Sequence, residues 1–277
     1  TVIPPSITFI IYGMITGESI GDLFLSGIVP GLIFGFMLCI MVFIKSKKNG
    51  WKGETQRASL KEIGRLFLDT IWGLLSPVIV LGGIYSGLFT PTEAAAVAVV
   101  YSLIVGIFIY KELRLAELKE TLFSTAKTTG MILLIIMNAG IFSWVLTQQG
   151  IAASLTEMAL ALTDNKYIML VIINIVFLCA GCVMDNTSAL YILVPIIMPI
   201  AKALDINMIQ LGVILVLNLS IGQVTPPVGP NLYVAADIGK VKFEEICRKM
   251  VPLLLMSLLA LLCITYIPAL SLCLIPS

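Results

Sequence analysis

The amino-acid sequence predicts an all-α polytopic membrane protein with an inverted repeat, a re-entrant hairpin and broken helices. Of its 277 residues, 59% are hydrophobic and 12% are charged, about half the charged share of an ordinary soluble domain. The apolar residues form long runs, and a membrane-spanning helix needs roughly 20 such residues. Prolines and polar residues interrupt two of the runs at places where a continuous helix cannot form. These observations identify the membrane as the solvent of the chain.

Charged residues separate the apolar runs and predict how the chain is oriented. Three stretches, 45–65, 111–127 and 237–249, hold fifteen of the seventeen Lys and Arg residues. Placing all three on the cytoplasmic side satisfies the positive-inside rule. The net charge of +1 gives no strong overall field, which argues against a nucleic-acid partner.

The residue types present argue against an enzyme. The chain contains no histidine, and its six cysteines lie mostly inside apolar runs. We interpret the C-x-x-C of Cys179 and Cys182 as packing residues, because no second cysteine pair accompanies them to make a metal or redox site. No nucleophile–base combination and no nucleotide-binding motif is present in the sequence. We therefore expect neither catalysis nor an organic cofactor.

In the first part of the chain, four features are predicted in order. Residues 1–45 form the end of the first repeat, with a broken helix after a proline pair and then a span. Residues 46–70 form a cytoplasmic basic loop and, over 59–70, a short amphipathic helix in the membrane interface. Residues 71–166 form scaffold spans. Their cytoplasmic connector, 111–128, is either a second interfacial helix or a solvated helical link.

Residues 167–277 are predicted to form the second repeat. It starts with a re-entrant hairpin over 167–204, because the second apolar run of that hairpin, 189–201, is too short to span. A broken helix over 207–236 follows, and a final span over 251–275 completes the repeat.

The repeat is marked by prolines. Pro30 follows Pro4-Pro5 by 26 positions, and Pro252 follows Pro226-Pro227 by the same number. The first copy reaches its charged loop after a span, whereas the second reaches its charged segment before its last span, so the copies run in opposite directions. Inverted repeats with broken helices are typical of secondary transporters, which bind their substrates at the breaks. A chance match of the proline marks is the alternative.

One candidate site is the segment Ser220–Pro230. Its three prolines lack backbone donors, so the helix must unwind there. Unwound backbone is tolerated at membrane depth where it lines a cavity, which makes the carbonyl groups of Gly222–Thr225 available to a cation such as sodium. Thr225 adds a hydroxyl group and Asn218 adds an amide. The alternative is a proline kink that serves only packing.

The second candidate site is Gly181–Ser188, the predicted hairpin tip. Asp185 is an ionisable residue at membrane depth, where such residues usually serve function. A structural alternative is that Asp185, Asn186 or Ser188 caps the following helix. Both interpretations are compatible, since helix N-termini at a hairpin tip also attract a carboxylate substrate.

These segments together resemble the large membrane subunit of the tripartite ATP-independent periplasmic (TRAP) transporters, without its N-terminal part. The matching residues are IPPS at 3–6, GLFTPTEAAAVAVVYSLIVG at 87–106, MDNTSALYILVPIIMPI at 184–200 and NLSIGQVTPPVGPNLYVA at 218–235. The resemblance covers essentially the whole chain. It implies an elevator-type carrier in which hairpin tips and broken helices enclose sodium and substrate.

Carried over to this sequence, the resemblance implies specific binding residues. The predicted sodium ligands are Pro5, Ser6, Gly181, Asp185, Asn186, Gly222, Thr225 and Pro226. The predicted substrate contacts are Asn186, Thr187, Ser188, Pro227 and Gly229.

The resemblance also implies a function and partners. We expect sodium-coupled import of a small organic acid, a C4-dicarboxylate or a sialic-acid-like carboxylate, across the bacterial inner membrane. The expected partners are a small membrane subunit and a periplasmic substrate-binding protein, with Na⁺ as the coupling ion. Part of the site is expected to lie in the missing first hairpin, so the 277-residue chain alone is not expected to transport. The alternative is a stand-alone ion-coupled anion carrier or sodium/proton exchanger of related architecture.

Overall fold

A computed structural model describes residues 1–51 and 59–275, and this part of the chain contains helices and no strand. The helices are α1 Ile7–Thr16, α2 Ile20–Asn49, α3 Leu60–Tyr85, α4 Pro91–Ile104, α5 Leu115–Gln148, α6 Ile151–Leu162, α7 Lys166–Val183, α8 Asn186–Ala203, α9 Met208–Gly222, α10 Pro230–Gly239, α11 Phe243–Tyr266 and α12 Ala269–Leu272. A π-helical turn, Val105–Ile109, extends α4. Seven helices in the described ranges are long and apolar enough to cross a membrane. The predicted all-α polytopic membrane protein is thereby confirmed.

The chain divides into two compact units. The first comprises Thr1–Lys48 and Ile135–Ser277, and the second comprises Asn49–Leu134. Every residue predicted to bind sodium or substrate lies in the first unit.

In the second unit, local capping interactions define where α3 and α4 begin. The Ser59 hydroxyl oxygen accepts a hydrogen bond from the Lys61 amide at 3.3 Å, and the Glu62 carboxylate accepts one from the Ser59 amide at 3.0 Å. Thr90 and Glu93 form the same reciprocal box at the start of α4. Such boxes satisfy backbone donors that a helix start otherwise leaves unpaired.

Two predicted connecting helices are not separate elements. The prediction of a short helix over 59–70 is wrong, because α3 continues from Leu60 to Tyr85 without interruption. From residue 115 onwards the connector predicted at 111–128 is likewise the start of α5, which continues to Gln148. A change from polar to apolar residues does not by itself end a helix, and neither Thr70 in α3 nor Gly130 in α5 interrupts its helix. Residues 52–58 of the predicted basic loop lie outside the described residues.

The predicted ends of other helices also need correction. The last long helix is Phe243–Tyr266 rather than 251–275, because Ile267, the residue before Pro268, leaves the helical conformation with φ −117° and ψ 84°. α8 has 18 residues, so it is longer than the apolar run on which the re-entrant interpretation rested. That the hairpin is re-entrant stays a prediction. α6 lies within the range predicted to form scaffold spans, but its 12 residues are fewer than a spanning helix needs.

The centre of the first unit is α9. Most of its side chains are buried on all sides, which is typical of a helix surrounded by other helices. α7, α1, α8 and α11 pack against it. Tyr12 of α1 is fully buried over Gly212, where an added Cβ would lie 2.6 Å from the Tyr12 Cε1 atom. The Tyr12 hydroxyl donates a hydrogen bond to the Met208 carbonyl oxygen at 2.6 Å.

The two proline-marked copies contain the same order of elements. In each, a proline pair precedes a ten-residue helix, α1 or α10. Three residues then lead to a long helix with an internal proline, Pro30 in α2 or Pro252 in α11. Both Pro4-Pro5 and Pro226-Pro227 are joined by cis peptide bonds. The opposite directions of the two copies across the membrane stay a prediction.

Candidate functional site

The hairpin between α7 and α8 has a tip of two residues, Met184 and Asp185. Asp185 caps α8, with one carboxylate oxygen accepting from the Ser188 amide at 3.1 Å and the other from the Ser188 hydroxyl at 2.6 Å. The capping interpretation is therefore correct for Asp185. Its side chain is nevertheless exposed, so the carboxylate keeps lone pairs that can bind a cation.

The helix break in the second repeat extends from α9, which ends at Gly222, to α10, which begins at Pro230. The carbonyls of Gly222 and Gln223 are not entirely free, because they accept hydrogen bonds from the Thr225 amide at 2.9 Å and the Asn231 amide at 3.2 Å. Each carbonyl oxygen has two lone pairs and retains one for a cation. The Thr225 hydroxyl donates to the Ile221 carbonyl at 2.7 Å, which leaves its oxygen available as an acceptor.

The hairpin and the break meet at two glycines. A Cβ added to Gly222 would lie 2.5 Å from the carbonyl carbon and 2.6 Å from the Cα of Gly181. A Cβ added to Gly181 would lie 3.1 Å from the Gly222 Cα. The two backbones are therefore in direct contact, which only glycine permits at this distance. This contact joins the two segments that the sequence analysis identified separately.

The remaining predicted residues differ in their surroundings. Gly229 is buried, has a φ of +40°, and an added Cβ there would lie 2.9 Å from the Thr225 carbonyl oxygen. Pro226 and Pro227 are exposed on the break, and Pro5 is exposed before α1. Thr187 and Ser188, in the first turn of α8, are partly buried.

Three buried oxygens of residues that the sequence analysis considered for the site have no hydrogen-bond partner within residues 1–51 and 59–275: Ser6 Oγ, Asn186 Oδ1 and Asn218 Oδ1. The Tyr191 hydroxyl and Ser271 Oγ share that property elsewhere in the first unit. Buried polar atoms are nearly always paired, so each of the three requires a donor, a water or a cation. Hydroxyl, amide and backbone oxygens are the hard ligands that an alkali cation takes, and the residues present therefore fit sodium.

A buried hydrogen-bond network in the first unit was missed by the sequence analysis. It joins Asn174, Asn218, Thr265 and Gln210 on three helices. Of its four residues, the sequence analysis considered only Asn218. The signal that could have pointed to the others is a polar residue inside an apolar run. Sequence alone could not pair residues that lie 91 positions apart, as Asn174 and Thr265 do.

Comparison with known proteins identifies similar chains. The family described as "Tripartite ATP-independent periplasmic transporter, DctM component" matches residues 1–270. The chain is 43% identical over 272 residues to the C4-dicarboxylate TRAP transporter large permease protein DctM of Pseudomonas aeruginosa, covering 98% of this chain and 64% of that protein. It is 36% identical over 270 residues to the sialic acid TRAP transporter large permease protein SiaM of Vibrio cholerae, covering 98% and 63%.

A third relative is the isethionate TRAP transporter permease protein DctMQ of Oleidesulfovibrio alaskensis, at 41% identity over 267 residues. That alignment covers 96% of this chain and 42% of the relative. The chain thus spans less than two thirds of the length of each of these three relatives.

Proposed function

The chain belongs to the DctM component family of the tripartite ATP-independent periplasmic (TRAP) transporters, and on this premise we propose that its protein imports a small organic acid together with sodium. The family consists of transporter permeases, so the expectation of a transporter rather than an enzyme is confirmed. The relatives are named for C4-dicarboxylates, sialic acid and isethionate. All three substrate types are organic anions, which is the substrate class we propose.

The observation that carries this proposal is the contact between Gly181 and Gly222. It brings the hairpin tip and the helix break to one place in the first unit. The tip offers a carboxylate and the first backbone amides of α8, whereas the break offers carbonyl oxygens. One site thus has ligands for a cation and donors for an anion.

The charge of Asp185 supports a coupling mechanism. The amides of the first turn of α8 attract a substrate carboxylate, but the Asp185 carboxylate at the same helix start repels it. Sodium bound beside Asp185 offsets that repulsion and leaves the amides of Asn186 and Thr187 for the substrate. Substrate binding therefore depends on prior binding of sodium, which is the requirement for symport.

The proposal includes the rest of the transporter. The site moves across the bacterial inner membrane by an elevator motion, and a periplasmic binding protein delivers the substrate. A small membrane subunit completes the permease. The internal repeat supports this architecture, because transporter sites lie where two repeats bring their breaks together.

Uptake by proteoliposomes tests the proposal. The vesicles contain the full-length large subunit and its small partner, and labelled organic acids are offered with and without an inward sodium gradient and the binding protein. We expect uptake only when both are present. Uptake without the binding protein would support the stand-alone carrier instead, and uptake that ignores sodium would refute the coupling.

A further inference from the structure

Four polar side chains form a continuous buried network, which we call the polar seam: Asn174 of α7, Gln210 and Asn218 of α9, and Thr265 of α11. Their exposed fractions are 4%, 5%, 0% and 1%. They lie within apolar helices, where a polar group without a partner is costly. The contact of Gly181 with Gly222 continues the same α7–α9 interface towards the helix break.

The direction of each hydrogen bond in the polar seam can be deduced. The Asn218 amide nitrogen lies 2.8 Å from the Ile214 carbonyl oxygen, which can only accept, so the orientation of this amide is determined. The same nitrogen donates to Asn174 Oδ1 at 2.7 Å. Asn174 must then present its nitrogen to the Thr265 hydroxyl oxygen, at 3.1 Å.

This arrangement leaves one amide oxygen without a hydrogen-bond donor. Both donors of Asn218 are used, while Asn218 Oδ1 is buried and accepts no hydrogen bond from the described part of the chain. Rotating the amide by half a turn would place that oxygen against two other oxygens, so the side chain cannot relieve the deficit itself. Asn218 lies four residues before Gly222, which is one helical turn or about 6 Å along the axis.

We propose that Asn218 Oδ1 is a ligand of the transported sodium ion and that Asn174 is the residue that positions it. This inference rests on the proposed sodium coupling. It assigns the ligand atom of Asn218, whose amide the sequence analysis had already considered, and adds Asn174 as the residue that positions it. A hard oxygen ligand whose orientation is held by a second residue is a common arrangement around bound metal ions, and loss of the second residue weakens metal binding by about 10–100-fold.

Substitutions at Asn174 distinguish its role in positioning Asn218 from its role in packing α7 against α9. Asn174→Leu removes the acceptor that holds Asn218. Asn174→Asp supplies a carboxyl group that stays neutral when buried, so its carbonyl oxygen accepts from Asn218 and its hydroxyl donates to Thr265. Gln210→Leu is the matched control, since Gln210 is equally buried and donates to the Thr265 carbonyl at 3.0 Å without contacting Asn218.

The experiment titrates sodium against choline at constant ionic strength, with the full-length large subunit and its small partner in nanodiscs. The first readout is the thermal stabilisation of the protein by sodium, which reports binding. The second is the sodium concentration at which uptake is half-maximal. We expect the sodium concentration at half-saturation to rise about tenfold in Asn174→Leu. In Asn174→Asp it should remain within about twofold of the wild-type value. Gln210→Leu should lower the unfolding temperature without changing half-saturation.

The outcomes are distinguishable. An unchanged sodium concentration at half-saturation in Asn174→Leu would overturn this inference and leave sodium coupling intact. An equal rise of that concentration in Gln210→Leu would do the same. The proposed function and this inference would both be overturned if sodium did not stabilise the wild-type protein and its uptake did not depend on sodium.

Discussion

Replacing Gly222 with alanine tests whether the hairpin and the helix break form one site. The added methyl group would lie 2.5 Å and 2.6 Å from two backbone atoms of Gly181 and 3.0 Å from the Cys182 amide nitrogen. None of these atoms belongs to a flexible side chain. The substitution therefore requires α7 and α9 to move apart.

The size of the effect can be estimated from the contact distances. Ordinary van der Waals contact for a Cβ begins at 3.4 Å, so the closest pair must separate by roughly 0.9 Å. Overpacking of this kind costs about 1–3 kcal/mol, and the better helix propensity of alanine returns up to about 1 kcal/mol. We expect the free energy of unfolding to fall by about 1–2 kcal/mol. Uptake should fall at least about tenfold, since functional groups tolerate displacements of only about 0.5 Å.

The assay combines thermal unfolding of the purified subunit pair with initial rates of sodium-driven uptake. Gly35→Ala is the matched control, because an added Cβ meets no atom within 4 Å there. Gly181→Ala is the intermediate case, with its closest contacts at 3.1–3.3 Å. The expected order of damage is Gly222→Ala, then Gly181→Ala, then Gly35→Ala.

If Gly222→Ala were as stable as the wild type and took up substrate at the same rate, the reasoning would be refuted. Equal damage in Gly35→Ala would also refute it, because the effect would then follow from the loss of any helical glycine.

Three further substitutions test individual interactions. Asp185→Asn keeps a good helix cap but removes the charge, so the sodium concentration for half-maximal uptake should rise at least about tenfold while the unfolding temperature stays unchanged; an unchanged concentration would exclude Asp185 as a sodium ligand. Tyr12→Phe removes the hydrogen bond to the Met208 carbonyl and should lower the free energy of unfolding by about 0.5–1.5 kcal/mol, as measured by thermal or denaturant unfolding; no change would mean that the bond contributes nothing. Ser59→Ala removes the cap of α3 at a cost of about 0.5–2 kcal/mol, which hydrogen exchange should detect as faster exchange in the first turn of α3 and not near Tyr85; uniform protection would contradict the capping role.

Local chemistry explains which features the sequence could predict. The break before Pro230 follows from three prolines and a glycine within residues 226–230, and it needs no information about neighbouring helices. A single proline is tolerated, as Pro30 in α2 and Pro252 in α11 show. At the last long helix the sequence analysis followed hydropathy, although the residue before a proline, here Ile267, tends to leave the helical conformation. Hydropathy was also misleading at Thr70, since the peptide backbone continues as a helix across a change of polarity.

The sequence by itself determined the membrane character, the helix breaks and the candidate residues at the hairpin tip, because these follow from composition and from short-range backbone chemistry. Only the tertiary structure decided that Gly181 touches Gly222 and that Asn174 holds the amide of Asn218. Those contacts join residues about 40 positions apart, and they depend on how α7 packs against α9. No local pattern encodes that packing, since many apolar faces could pair equally well until the whole set of helices is assembled.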